Sequence, residues 1–235
     1  MIEIKNVTKK YGDKEALKNI NFEIKDGEIF GFIGHNGAGK TTMIKSIVGI
    51  LDFEDGDILI NNKSIKKDPI NCKLEMAYVP DNPDLYENMT AIDFINFVCD
   101  MYKTEESIRK ENIEKYAKMF EIENNLNDDI SSFSHGMKQK VALIAALSHE
   151  PKVLIMDEPF VGLDPKAVFD IKNIMKKMAK EGKTIFFSTH ILDVAEKLCD
   201  RVAIIKNGSI VKIGKLKDIK GDSSLEEVFL ELGEK

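Results

Sequence analysis

Gly34-His35-Asn36-Gly37-Ala38-Gly39-Lys40-Thr41 is the stretch whose reading decides the fold. It fits the pattern G-x-x-x-x-G-K-[ST], and Thr42 follows it. That pattern carries meaning only between a buried strand and a helix, and both neighbours read that way. Before it, Glu28-Ile29-Phe30-Gly31-Phe32-Ile33 is an apolar run typical of a buried strand. After it, Met43, Ile44, Ile47 and Val48 recur on one helical face. The glycines let backbone N–H groups turn inward as an anion nest, and the helix start adds positive potential. In such a loop Lys40 reaches the β- and γ-phosphates of a nucleotide and Thr41 Oγ1 reaches Mg²⁺.

Outward from the loop, the first third reads as strands. Ile2 and Ile4 alternate with polar residues, as do Phe22 and Ile24, which run into an Asp26-Gly27 turn. A turn is expected at Asp55-Gly56 before Ile58-Leu59-Ile60, and Met76-Ala77-Tyr78-Val79 reads as a further strand. From Thr90 to about Leu147 the signals are helical: Thr90 is an N-cap with Asp93 three residues on, and Thr104 is expected to cap a helix carrying Ile113, Tyr116, Ala117 and Phe120. The last third alternates again, with strands at 153–156 and 184–187 separated by a helix near Ile171 to Met178. Asn207-Gly208 signals a hairpin, and Ser224 with Glu227 a capping box. The pattern is a helical lobe inserted between early and late sheet strands.

With 235 residues and 43% hydrophobic content, the chain can bury a sizeable core as one large domain. Lys and Arg total 34 against 40 acids, a net charge of −6, which argues against a nucleic-acid partner at the whole-chain level. Cys72, Cys99 and Cys199 are odd in number and lack a CxxC pair, so neither a zinc site nor a disulfide framework is expected. No apolar run approaches the ~20 residues that a membrane span needs.

Two further segments carry chemistry. Val153-Leu154-Ile155-Met156-Asp157-Glu158-Pro159 ends a buried strand in adjacent acids, at the edge where ligands sit in α/β sheets. Asp157 there would hold Mg²⁺ directly or through water, and Glu158 would be general base for an attacking water. Ser134-His135-Gly136-Met137-Lys138-Gln139 opens an apolar helix with a Ser cap, a second candidate anion site.

The order of these motifs, followed by Gly162-Leu163-Asp164 and Ser188-Thr189-His190, resembles the nucleotide-binding domain of ABC transporters. Within that family the segment from Asn82 to Thr90, the Ser-x-Gly-Met-Lys-Gln signature and the terminal segment Leu225-Glu226-Glu227-Val228-Phe229-Leu230 look most like exporters of drugs, peptides or lipids. The resemblance implies a P-loop α/β fold with a mixed sheet, an N-terminal antiparallel β subdomain and an inserted helical subdomain. It implies one ABC ATPase domain over 1–235, with an ATP-binding core at 1–80 and 151–235 and a helical part near 82–150. It further implies ATP and Mg²⁺ as cofactors and hydrolysis coupled to export through a separate transmembrane permease. The ATPase would lie peripherally at the cytoplasmic face of the cell membrane, as a homodimer or heterodimer.

At matching positions, Tyr11 would stack on adenine beside Ala16, while Asn36, Gly37, Ala38, Gly39, Lys40, Thr41 and Thr42 cradle the phosphates. Ser134 and Gly136 would contact the γ-phosphate held by the opposite subunit, Asp164 would link the two sites, and His190 would be the switch histidine. Two departures stand out. Asp81 occupies a position that in the family commonly senses Mg²⁺ and the attacking water through Gln, and is assigned that metal-side, catalytic role. Phe133-Ser134-His135-Gly136-Met137 stands where the family has Leu-Ser-Gly-Gly-Gln, so loop flexibility should change more than chemistry. Two other readings stay open: an ABC ATPase acting on ribosomes or DNA, and a nucleotide-binding regulator that has lost hydrolysis.

Overall fold

A computed structural model describes residues 1–233 of the chain. The strands β1 (Ile2–Tyr11) and β2 (Lys14–Ile24) form a hairpin, and β3 (Ile29–Ile33) leads through the glycine-rich loop into α1 (Lys40–Ile47). Next come β4 (Asp55–Ile60), β5 (Lys63–Ser64), α2 (Pro69–Leu74) and β6 (Met76–Val79). Three helices follow in succession, α3 (Ala91–Met101), α4 (Glu106–Met119) and α5 (His135–Ser148). The chain then alternates through β7 (Val153–Asp157), α6 (Pro165–Lys180), β8 (Thr184–Thr189) and α7 (Leu192–Leu198). It closes with the hairpin of β9 (Arg201–Lys206) and β10 (Ser209–Lys215), then α8 (Leu216–Lys220) and α9 (Leu225–Gly233).

The strands make two sheets. One is antiparallel, in the order β2-β1-β4-β5. The other runs β10-β9-β3-β8-β7-β6 and is parallel apart from the antiparallel edge strand β10, which makes it mixed. Successive side chains on a strand face opposite ways, so the central strands feed two cores. Phe30, Phe32, Val153, Ile155 and Phe186 face the antiparallel sheet and α1, where Phe22 stacks on Phe30 at 5.4 Å between ring centroids. Ile29, Ile33, Leu154, Met156, Ile185 and Phe187 face the helices. Burying each of these phenylalanines contributes roughly 1.5–3 kcal/mol. Gly31 interrupts β3 for a steric reason: a Cβ there would stand 2.6 Å from Cys199 Sγ.

Local expectations hold at Thr90, whose hydroxyl accepts the Asp93 N–H, and at Ser224 and Glu227, which exchange reciprocal hydrogen bonds of 2.9 and 3.2 Å. Asn207 and Gly208 both take positive φ at the β9–β10 turn. Two local expectations fail. Thr104 does not cap α4; Glu105 occupies the cap position without a side-chain bond, and Thr104 Oγ1 is buried without a hydrogen-bond partner. Asp55-Gly56 is not a turn but the start of β4, at a register shift against β1. Gly56 has φ 88°, and a Cβ would meet the Lys5 carbonyl at 2.3 Å, so close backbone approach rather than chain reversal demands the glycine. Among the described residues no helix is long and apolar enough to cross a membrane.

Candidate functional site

The glycine-rich loop leaves the C-terminal end of β3 and enters α1 through Gly39, at φ 115°. No side chain caps α1, so the N–H groups of its first turn remain available to an anion. Two glycines are sterically fixed: a Cβ at Gly34 would lie 2.7 Å from the Ile205 carbonyl, and one at Gly39 would lie 2.8 Å from the Ala16 carbonyl. Gly37 has open space but φ 80°. Lys40 is buried and fills the loop, donating to the carbonyls of Gly34 at 2.8 Å and His35 at 3.3 Å.

A cleft of about 870 Å³ opens on this loop, a volume in the range of small-molecule sites. Tyr11, Ala16, Asn36, Gly37, Gly39, Lys40, Thr41, Thr42, Asp81 and Glu158 all line it. Tyr11 ends β1 half exposed at the rim, with Lys9 Nζ 5.6 Å from its ring centroid. Ala38 is buried behind the loop, its carbonyl accepting the Gly208 N–H at 3.0 Å.

β7 ends at Asp157, which does not line the cleft, and the next residue, Glu158, does. Asp157 is 1% exposed, and its Oδ1 accepts the Ser188 hydroxyl. Glu158 Oε1 stands 3.3 Å from Lys40 Nζ, an ion pair without hydrogen-bond geometry. Glu158 Oε2 lies 3.0 Å from His190 Nδ1 and accepts the His190 N–H at 3.3 Å. Asp81, exposed at the rim after β6, has its carboxyl pushed up by partial desolvation and by the nearby Asp157 and Glu158. Negative charge is therefore concentrated opposite the phosphate loop.

The signature segment lies apart. Ser134 caps α5, its hydroxyl accepting the Met137 N–H at 3.3 Å. Gly136 packs so closely on the 161–163 turn that a Cβ would meet the Gly162 carbonyl at 2.8 Å; the His135 ring lies against Gly162. Asp164 caps α6 through the Ala167 N–H and pairs with Lys140 at 2.7 Å, contacts that hold its carboxyl below the usual range. Ser134, Gly136 and Asp164 do not line the cleft of their own chain.

Several site residues carried no local signal. Asn207 and Gly208 line the cleft, and a Cβ on Gly208 would stand 2.7 Å from the Ala16 carbonyl. Asn-Gly announces a hairpin, but nothing in the dipeptide says its tip abuts the phosphate loop. Ser188, between the two acids, was legible only as part of the Ser-Thr-His run.

Known proteins resemble this chain in sequence and in fold. Residues 17–161 match the ABC transporter family. The ABC-type transporter ATP-binding protein EcsA of Bacillus subtilis is 35% identical over 99% of this chain and 96% of its own length. A solved ATP-binding subunit of an ABC transporter superposes with TM-score 0.96 at 34% identity, over 99% of each chain. A dimeric ATP-binding cassette in a post-hydrolysis state, bound to ADP and Pi, superposes with TM-score 0.83 at 29% identity, over 92% of this chain and 99% of that one. On these likenesses the chain belongs to the ABC transporter family, as an ATP-binding, ATP-hydrolysing subunit.

Proposed function

We propose that the ATPase works as a dimer, of like or related subunits, in which each copy completes the other's site beneath a separate membrane-spanning permease. One observation carries this reading. The cleft gathers Tyr11, the phosphate loop, Asp81 and Glu158, while Ser134, Gly136 and Asp164 lie outside it on the same chain. A second copy facing the cleft would bring Ser134 and Gly136 to the γ-phosphate and place Asp164 between the two sites.

In this reading Tyr11 and Ala16 hold adenine, the N–H groups from Asn36 to Thr42 hold the phosphates, and Lys40 moves from the loop carbonyls onto the β- and γ-oxygens. Glu158 accepts the proton of the attacking water, with His190 orienting its carboxylate. Mg²⁺ fits the residues present: buried Asp157, the Thr41 hydroxyl at the start of α1, and Asp81, whose carboxyl is pushed up first by desolvation and then by Asp157 and Glu158. Among the described residues no three His, Cys, Asp or Glu side chains form a metal site by themselves, so phosphate oxygens and water would supply the other ligands. Held there by Asp157, Thr41 and Asp81, Mg²⁺ would supply charge neutralisation for the transferred phosphoryl group.

The division into a core at 1–80 and 151–235 and a helical part near 82–150 belongs to the same proposal. A hollow of about 190 Å³, lined by Tyr78 and Pro80 from the core and by Leu85, Phe94, Tyr102 and His149 from the helical part, lies where these parts meet. Tyr86 and Met101 stand exposed on the same segments. The hollow suits the permease's cytoplasmic helices, which would hold the ATPase peripherally at the cytoplasmic face. Export is the direction we assign, on the signature and the terminal segment. Purification of the tagged chain from native membranes in mild detergent tests the partnership. A polytopic membrane protein should co-purify with ATPase activity; recovery with ribosomes or DNA instead would overturn the reading.

A further inference from the structure

One hydroxyl ties together the two acids at the end of β7. Ser188 is fully buried in β8; it donates to Asp157 Oδ1 and accepts the Glu158 N–H at 3.1 Å. The parallel register sets Ser188 directly beside Asp157, and the chain turns at the next residue. Glu158 there has φ 46°, in the left-handed region, which costs a residue with a side chain about 1–2 kcal/mol. Such a backbone persists only where its surroundings hold it, and such outliers cluster at functional sites. Two residues on, just past the end of the strand, His190 grips the Glu158 carboxylate through its N–H and Nδ1. The end of β8 therefore holds Glu158 at both its backbone and its side chain.

We propose that Ser188 is a positioning residue for ATP hydrolysis, acting through Asp157 and Glu158. Its hydroxyl fixes the turn that aims the Glu158 carboxylate into the cleft and orients the Asp157 carboxylate toward the metal. Removing it would take from the Glu158 N–H and from Asp157 Oδ1 the buried partner they share, and the turn would relax. The inference rests on the roles given above to Glu158 and Asp157. A serine that merely filled the strand would alter stability and leave the chemistry alone.

The test is steady-state Mg-ATP turnover and ATP binding by the purified subunit. Ser188→Ala should lower kcat about 10–100-fold, the usual effect of losing a group that orients catalytic or metal-binding side chains. KM and ATP affinity should stay within about threefold of wild type, the signature of an interaction needed in the transition state. Half-maximal activity should also require more Mg²⁺. Ser188→Thr keeps the hydroxyl and should recover most of kcat. Ser188→Cys keeps the volume but offers only a weak donor, so it should stay slow, and it serves if the alanine variant does not fold. The proposal is overturned if the alanine or cysteine variant turns over within about threefold of wild type, or if kcat and ATP affinity fall together without rescue by threonine. Glu158→Gln in parallel separates the two levels. If it hydrolyses normally, the base assignment fails and takes this inference with it; if it is inactive while Ser188→Ala is normal, only Ser188 loses its role.

Discussion

Replacing Lys40 with methionine keeps most of the aliphatic stem and removes the ammonium that stands 3.3 Å from Glu158 Oε1. Both side chains are nearly buried, at 6% and 11% exposure, so solvent screens the pair little. At that separation, with an effective dielectric constant of about 20, the attraction is about 5 kcal/mol. Removing one partner of a buried pair costs about 3–5 kcal/mol, because the remaining charge is left uncompensated. His190 Nδ1 on the other carboxylate oxygen keeps the expected loss near the low end, about 3 kcal/mol. For a chain of 235 residues that lowers Tm by roughly 6–12 °C. Thermal or urea unfolding of the nucleotide-free protein reads it. Adding Glu158→Gln to Lys40→Met should restore about half or more of the loss, since the orphaned charge is gone. A Lys40→Met protein melting within about 1 °C of wild type, or strict additivity in the double variant, would refute the argument.

Two further perturbations follow from the same geometry. Tyr11→Ala should weaken ATP about five- to tenfold, the low end of base stacking for a half-exposed ring, and leave inorganic triphosphate binding unchanged; calorimetric titration decides, and equal ATP affinity would remove Tyr11 from the base site. His149 stacks face to face on Tyr102 at 3.6 Å, and burial lowers its pKa from 6.5 to about 4. The unfolded chain thus binds the extra proton between those values, so stability is fully present above pH 6.5 and roughly 3 kcal/mol is lost as pH falls toward 4. His149→Leu should lack that slope in urea unfolding at pH 7 and 4.5; an unchanged pH dependence contradicts the assignment.

Local structure was legible in the sequence where short-range physics determines it. The glycine-rich loop needs its glycines, the Asn207-Gly208 turn needs two positive φ angles, and Thr90 and Ser224 cap through bonds only three residues long. What escaped depends on contacts between distant segments. Gly56 resembles a turn glycine until the Lys5 carbonyl is found 2.3 Å from its absent Cβ. Thr104 resembles a cap, but its hydroxyl is buried and the helix starts two residues later. Ser188 sits 31 residues from Asp157, and only the parallel pairing of β7 with β8 brings them together. The strand order was equally invisible, because alternation fixes which face a residue takes and not which strand lies beside it.

The claim that two copies complete each other's sites is tested most directly by light scattering on the Glu158→Gln protein with and without Mg-ATP. The account predicts no turnover and a shift from the 26.5 kDa monomer to twice that mass only when nucleotide is present. A sample that binds ATP yet keeps the monomer mass, both alone and mixed with any related subunit that co-purifies with it, would contradict it.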